Sequence, residues 1–331
     1  MGRIQLLGEL KLLSGNAHPE LARAIASRLD IPVGAMEVTR FSDGEYDVKI
    51  AESVRGMDVF VVQPTCAPVS DNLIQLFIIL DALHRASAAR VTAVIPYYGY
   101  ARKEKKTAPR DPISAKLMAN IIAMAGANRV IALDLHTDAI QGFFDIPVDH
   151  LFAAKILASH IRARHSRDEF VIVSPDPGGI RRARYIANLL DAPLAFLDKR
   201  RPRDDVAEIL NVIGDVEGLN AVVVDDMITR GTTLLGAATA LKGAGARAVD
   251  VLATHGVLSD GAVKRLAAAP IDQIVVTDSI PGTDTHEKLV RLSVAPLLAE
   301  GILRVHEDRS VSELFGEQRF PDLEVRSGGE A

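Results

Sequence analysis

The chain has no tryptophan, one cysteine, and only 10 Phe and 5 Tyr in 331 residues. So few aromatics argue against a stacking surface for single-stranded nucleic acid. A lone cysteine allows no internal disulfide, and Cys66 reads as a small buried hydrophobe. Basic residues do not dominate: 38 Lys and Arg face 43 Asp and Glu, for a net charge of −5. That balance excludes a general nucleic-acid binder, because cations neutralising phosphates supply most of such affinity. Long apolar runs are also missing. LFIIL and the stretch within ANIIAMAGA fall well short of the roughly 18 residues that span a bilayer. The segment MGRIQLLGELKLLSG has no signal-peptide core, and Leu6 stands where myristoylation wants Ser or Thr. The expectation is a cytoplasmic protein with no nucleic-acid or membrane partner. Neither the phosphate-loop pattern G-x-x-x-x-G-K-[ST] nor the dinucleotide pattern G-x-G-x-x-G occurs.

What is present is the balance of a globular chain, 48% hydrophobic and 24% charged. Its length suits two domains of roughly 150 residues each. Strand candidates recur as VFVVQ (59–63), VTAVIPY (91–97), VIALDLH (130–136), FVIVSPD (170–176), AVVVDD (221–226), VDVLATH (249–255) and IVVTDSI (274–280). They are mostly unbroken Val/Ile runs, as expected where helices cover both faces of a sheet. Helical rhythm separates them. Leu73, Leu76, Phe77, Leu80 and Leu83 share one face of a helix predicted over 71–86, with Ser70 or Asp71 as its cap. PELARAIASRL (19–29) opens with Pro, which a first helical turn tolerates. A helix around 151–164 is expected to bridge the halves, and ARVTAVIP and ARAVDVLA hint weakly at duplication. The alternation predicts an α/β fold of mainly parallel sheets flanked by helices.

Residues 221–234, AVVVDDMITRGTTL, carry the most chemistry. Ligands in open α/β sheets sit at the carboxyl ends of strands. A turn opening a helix presents unpaired N–H groups at the positive end of a dipole, which suits a phosphate monoester. Gly231 permits close backbone approach, and Thr229, Thr232 and Thr233 add hydroxyls. Asp225 and Asp226 would repel that phosphate at contact. Set a few ångströms away, they accept hydrogen bonds from sugar hydroxyls. Phosphate at one end and diol at the other describe a ribose 5-phosphate unit, with Arg230 contributing its backbone N–H.

The motif resembles the phosphoribosyl-diphosphate loop of the type I phosphoribosyltransferase superfamily. KLLSGNAHPELA, RFSDGE, AVIPYYGYAR, DLH, QGFFDIPVDHL, VSPDPGG and DKRRPR follow in order. Together they are similar to the ribose-phosphate diphosphokinase family over roughly residues 11–315. The resemblance implies two phosphoribosyltransferase-like domains, 1–152 for ATP and oligomer contacts and 153–315 for ribose 5-phosphate and the catalytic loop, with 316–331 as a flexible tail. It implies transfer of the diphosphoryl group of ATP to the anomeric hydroxyl of ribose 5-phosphate, a Mg2+ cofactor, and homo-oligomers, usually hexamers built from dimers.

On the same resemblance, Lys199 and Arg201 are the catalytic cations, on a mobile loop. Phe41, Asp43, Glu45, Arg102 and Lys103 contact ATP, and His136 and Asp176 lie near Mg2+ and the phosphates. Mg2+ prefers oxygen, which favours Asp176 over His136 as a direct ligand, with Asp134 able to orient either His136 or a water. Phosphate and ADP are the implied effectors, at Ser53, Arg55, Ser87, Arg110, Ser310 and Ser312. Three departures stand out: Lys103 for a usual Gln, Pro177 in the VSPDPGG loop, and Arg230 in the phosphate turn. The rival readings are a non-catalytic regulatory paralogue, which would lack the catalytic residues present here, and a base-transferring phosphoribosyltransferase, which would leave RFSDGE and the first half unexplained.

Overall fold

Runs of β-branched residues can be strands only if both faces are covered, and the chain builds its helices to cover them. The computed structural model describes residues 8–200 and 209–315, with the side chains of 199, 200, 209 and 210 outside that description. Two compact units result: the chain up to Phe152 together with the stretch from Ala295, and Ala153–Val294.

The first unit runs β1 (Leu10–Ser14), α1 (Pro19–Leu29), β2 (Met36–Arg40), β3 (Tyr46–Ile50), β4 (Asp58–Val62), α2 (Val69–Arg85), β5 (Arg90–Ile95), α3 (Ser114–Met124), β6 (Arg129–Leu133) and β7 (Val148–Leu151). Five strands form one sheet in the order β1-β4-β5-β6-β7, parallel throughout. β2 and β3 make a separate antiparallel hairpin. Pro19 does open α1, and His18 caps it, its Nδ1 accepting the Leu21 N–H at 3.3 Å. The start expected for α2 is wrong by two residues. Pro68 is its cap and no side chain caps it, whereas Asp71 sits within the first turn and faces Arg40 at 3.6 Å. A carboxylate there is favoured by the helix dipole even without a capping bond. Leu73, Leu76, Leu80 and Leu83 are buried as the periodicity requires, and Phe77 packs partly exposed at the margin of the same core.

The second unit runs α4 (Ala154–Arg164), β8 (Phe170–Ser174), α5 (Ile180–Leu190), β9 (Leu194–Arg200), β10 (Ile209–Ile213), β11 (Asn220–Ile228), α6 (Thr232–Gly243), β12 (Ala248–Gly256), α7 (Ala262–Ala267), β13 (Gln273–Thr277) and β14 (Leu289–Leu292). Its seven strands order as β10-β9-β8-β11-β12-β13-β14, and only the β9–β10 pair is antiparallel. β11 lies mid-sheet, and its side chains alternate between layers. Ala221 and Val223 join Leu234, Ala237 and Leu241 of α6 on one face. Val222 and Val224 join Ile186 and Leu190 of α5 and Leu157 and Ile161 of α4 on the other. Each such fully buried aliphatic side chain contributes about 1.5–3 kcal/mol. The helix expected to bridge the halves is thus α4, packed inside the second unit.

The final helix, α8 (Ala295–His306), overturns part of the expected division, which gave residues to 315 to the second domain. Sequence order suggested the second unit, but its contacts belong to the first. Gly301 lies so close to Leu151 that an added Cβ would stand 2.9 Å from Cδ1. Beyond it, the fully buried Asp58 carboxylate takes a two-pronged bond from Arg90 at 2.8 and 2.6 Å and meets His306 Nδ1 at 2.8 Å. Arg90 also donates to the Val305 carbonyl at 2.8 Å. A buried carboxylate without such partners would be costly, so the cluster ties the helix end down.

Candidate active site

The acidic pair does not end its strand. β11 continues to Ile228, and Met227 and Ile228 still pair with His255 and Gly256 of β12. On the other side, pairing with β8 stops at Val223. The segment that carries Asp225 and Asp226 is therefore strand-paired on one side only. Asp226 is buried and Asp225 half-buried, and Arg182 of α5 reaches both, its Nη1 at 3.7 and 3.8 Å from their Oδ1 atoms. These distances exceed hydrogen-bond range, so the guanidinium offsets charge without a direct hydrogen bond; Asp225 Oδ1 accepts the Asp226 N–H at 2.8 Å. Burial, then the neighbouring Asp226 charge, pushes the Asp225 carboxyl up to about 8, with Arg182 acting in the opposite sense.

The turn that follows has the shape the sequence suggested. Gly231 caps α6 in a left-handed conformation, φ 75°, and no side chain bonds to the helix start. The first N–H groups of a helix have no partner within it, so Thr232, Thr233 and the residue after them present donors outward. Thr229 is half-buried, and Thr232 and Thr233 are exposed. A Cβ at Gly231 would stand 2.8 Å from Leu266 Cγ on α7. Only glycine fits. Gly231→Ala should cost about 1–2 kcal/mol of stability from the left-handed backbone alone, and it should raise the ribose 5-phosphate KM as the turn shifts. Thermal unfolding and a KM measurement check this, and an unchanged melting temperature would contradict the packing argument.

Arg230, whose bulk looked out of place in the turn, is drawn aside. Its Nε donates to Asp260 at 2.9 Å, and Arg265 donates to both the Arg230 and Asp260 carbonyls. The bulky side chain is therefore tied to the α7 end of the turn. Asp176, after β8, accepts the Gly179 N–H at 2.9 Å through Oδ1, and Pro177 begins the short 3-10 turn that this bond caps. Pro177 suits a first-turn position, where its missing N–H costs nothing.

In the first unit, Phe41, Asp43 and Glu45 form the tip of the β2–β3 hairpin. Phe41 N–H donates to Glu45 O at 2.8 Å, Glu45 N–H to Asp43 Oδ1 at 3.2 Å, and Gly44 supplies the positive φ of 101°. Phe41 is 54% exposed at that tip. Arg102 and Lys103 open the loop before α3, where Lys103 Nζ donates to Asp111 at 3.0 Å and to Thr107 at 3.3 Å. The bond from Thr107, then that from Lys103, holds Asp111 far below the usual carboxylate range. Lys103 thus closes its own loop, in which Arg110 adopts φ 68°.

Asp134 and His136 follow directly on β6. Of the candidate effector residues, the loop holding Ser53 and Arg55 meets Ser87 through a Gly56 N–H to Ser87 O bond of 2.9 Å. Ser310 and Ser312 share a hydroxyl contact of 2.8 Å. Lys199, expected on a loop, is instead in β9 and pairs with Leu210 of β10. The antiparallel ladder persists to Arg200 and Ile209, carrying regular backbone further than the charged sequence implied. Arg201 lies outside the described residues.

Residues 10–126 match the family profile described as the N-terminal domain of ribose phosphate pyrophosphokinase, and residues 199–316 match a phosphoribosyl synthetase-associated domain. A protein of Caldanaerobacter subterraneus subsp. tengcongensis described as ribose-phosphate pyrophosphokinase is 53% identical over 308 residues, covering 92% of this chain and 98% of that protein. The chain belongs to the ribose-phosphate pyrophosphokinase family. It is therefore an enzyme with ribose-phosphate pyrophosphokinase activity. Another member of the family, from Maricaulis maris, is 53% identical over 309 residues, spanning 92% of this chain and all 100% of that one. The crystal structure of phosphoribosylpyrophosphate synthetase from Mycobacterium smegmatis superposes with a TM-score of 0.86 at 45% identity, covering 91% of this chain and 99% of that one.

Two site residues escaped the sequence reading, Arg182 and Asp260. Arg181 and Arg182 fall in the first turn of α5, which has no acidic residue. Cations there oppose the helix dipole. That mismatch was the available signal of carboxylates nearby.

Proposed function

We propose that this chain carries out ribose-phosphate pyrophosphokinase chemistry with the 225–233 turn as its ribose 5-phosphate site. The observation that carries this reading is the uncapped start of α6 behind a left-handed Gly231, beside two adjacent carboxylates with Arg182 3.7 and 3.8 Å away. Backbone N–H groups and the hydroxyls of Thr229, Thr232 and Thr233 take the phosphate. Asp225 and Asp226 accept the ring hydroxyls and so aim the anomeric oxygen. That oxygen forms a bond to the β-phosphorus of ATP as the bond to the bridging oxygen breaks, and AMP leaves with the bridging oxygen. The attacking hydroxyl loses its proton to solvent. Lys199 and Arg201 neutralise the charge that spreads over the phosphoryl oxygens, the main protein contribution to such transfers.

ATP is held by Arg102 through its phosphates and by Phe41, Asp43 and Glu45 around the base. An exposed phenylalanine at a hairpin tip offers a stacking face. Lys103, already paired with Asp111, shapes its loop and contributes a cation at one remove. Asp176 suits an oxygen-preferring cation through the oxygen that does not cap its own turn, and Asp134 orients His136 or a bound water. Mg2+, when bound with ATP, shields the phosphate charge and orients the triphosphate. His136 faces the phosphates. Homo-oligomers, a cytoplasmic setting, and phosphate and ADP as effectors at Ser53, Arg55, Ser87, Arg110, Ser310 and Ser312 complete the reading.

The test is AMP formation by the purified chain. AMP should appear only when ATP, Mg2+ and ribose 5-phosphate are combined. Stimulation of another synthetase without turnover of its own would favour a regulatory protein instead, and diphosphate release from phosphoribosyl pyrophosphate on adding a base would favour a base transferase.

A further inference from the structure

We propose that His150 is a positioning residue that holds the 134–136 turn, and with it Asp134 and His136, in register for MgATP. The inference deepens the reading above and rests on its assignment of that turn to the nucleotide phosphates.

β6 ends at Leu133, and the chain then turns through Asp134, which adopts φ 38°, a left-handed conformation that a residue with a Cβ resists. Such a conformation persists only where its surroundings impose it. Two bonds from β7 do so. Asp134 N–H donates to the Leu151 carbonyl at 2.9 Å, and Leu135 N–H donates to His150 Nε2 at 2.9 Å. The second bond is to a side chain, so it depends on which residue stands at 150.

The imidazole is itself fixed. His150 is 7% exposed, and its ring lies against Phe152 with centroids 4.2 Å apart. Phe152 in turn takes Phe315 edge-on at 5.1 Å. A backbone N–H can only donate, so Nε2 accepts. The other ring nitrogen, Nδ1, lies 3.1 Å from Gln141 Nε2 and 3.7 Å from Asp138 Oδ1. Both edges of the ring are thus held between neighbouring groups. His150 acts through the 134–135 peptide rather than on substrate, as a supporting shell acts on a site's contacting groups.

The test compares His150→Phe, which keeps ring volume against Phe152 and removes the acceptor, with His150→Gln, whose amide oxygen can stand where Nε2 does. His136→Ala is the reference for the turn itself. In H150F the MgATP KM should rise about 10- to 100-fold, the scale of a small misplacement of reacting groups, with the ribose 5-phosphate KM within about twofold. H150Q should recover most of the loss. Without any ligand, hydrogen exchange at the Leu135 amide should speed up in H150F and stay near parent in H150Q. H150F and H150Q behaving alike, in exchange and in KM, would overturn the proposal, since ring volume or neither property would then be what counts. An impaired H136A beside an unaltered H150F would overturn it while leaving the nucleotide site in place. An unaltered H136A would remove the nucleotide reading of the turn and the proposal together.

Discussion

Lys199→Ala should lower the rate of AMP formation by about 10²–10³-fold, the usual cost of losing one electrostatic contact to a transition state, while the ribose 5-phosphate KM stays within about threefold of the parent. The asymmetry follows from where charge changes. Ribose 5-phosphate brings its charge on a phosphate remote from the reacting oxygen, the end that the proposed reading gives to the 225–233 turn. The diphosphoryl group develops and redistributes charge only during transfer, so a cation that serves it is felt in kcat. Lys199 lies in β9, whose backbone pairs with β10 at the edge of the seven-stranded sheet. Lys199→Arg should restore only part of the rate, because a planar fork replaces a compact ammonium. Steady-state kinetics on the three proteins decide the matter. Equal rates for parent and K199A would show that this cation takes no part in the transfer.

The second large effect is a trade between binding and stability at Asp225. Each hydrogen bond to a charged group contributes about 1.5–3 kcal/mol, so above about pH 8, where Asp225 is ionised, Asp225→Asn should cut kcat/KM for ribose 5-phosphate about 10–100-fold, with the KM for ATP little changed. The substrate-free protein should respond in the opposite direction. Folding raises the Asp225 carboxyl to about 8, chiefly through burial and then through Asp226. A group whose folded value lies above its unfolded one stabilises the fold fully at low pH, below the ordinary carboxylate range. That contribution is lost as pH rises through the folded value, because ionising the buried acid is opposed. The parent should therefore lose stability between about pH 4 and pH 8 from this group, and D225N, which cannot ionise, should lack that slope. Around pH 8 the variant should be the more stable by about 0.5–2 kcal/mol, a common gain when a strained functional group is removed. Thermal melts of both proteins across that pH range would show the curves diverging towards alkaline pH. Parallel curves would mean that Arg182 already neutralises the pair.

The two predictions share a physical root. Both rest on the same local features: adjacent acids, the partnerless first N–H groups of α6 and a left-handed glycine beside Leu266. Arg182 stands beyond hydrogen-bond range of both acids, and Asp260 draws Arg230 aside.

Much of this was legible from residues alone. Unbroken Val/Ile runs separated by helical rhythm required helix-covered, mainly parallel sheets, because only burial on both faces tolerates such runs. The order of two acids, two apolar residues and a Thr/Gly turn required a strand leading into an uncapped helix, since local backbone chemistry sets both. Those conclusions depend on neighbours in sequence, which is why they could be read there. The tertiary structure decided what depends on distant partners. It placed α8 with the first unit, because Asp58, Arg90 and Gly301 meet residues far along the chain. It extended β11 past the acids, because β12 continues to pair there after β8 has stopped. It brought Arg182 to the acidic pair and His150 to the Leu135 amide, contacts that no spacing in the sequence encodes. Periodicity and turn chemistry are local quantities, whereas charge compensation and peptide anchoring are decided only when separate elements are packed side by side.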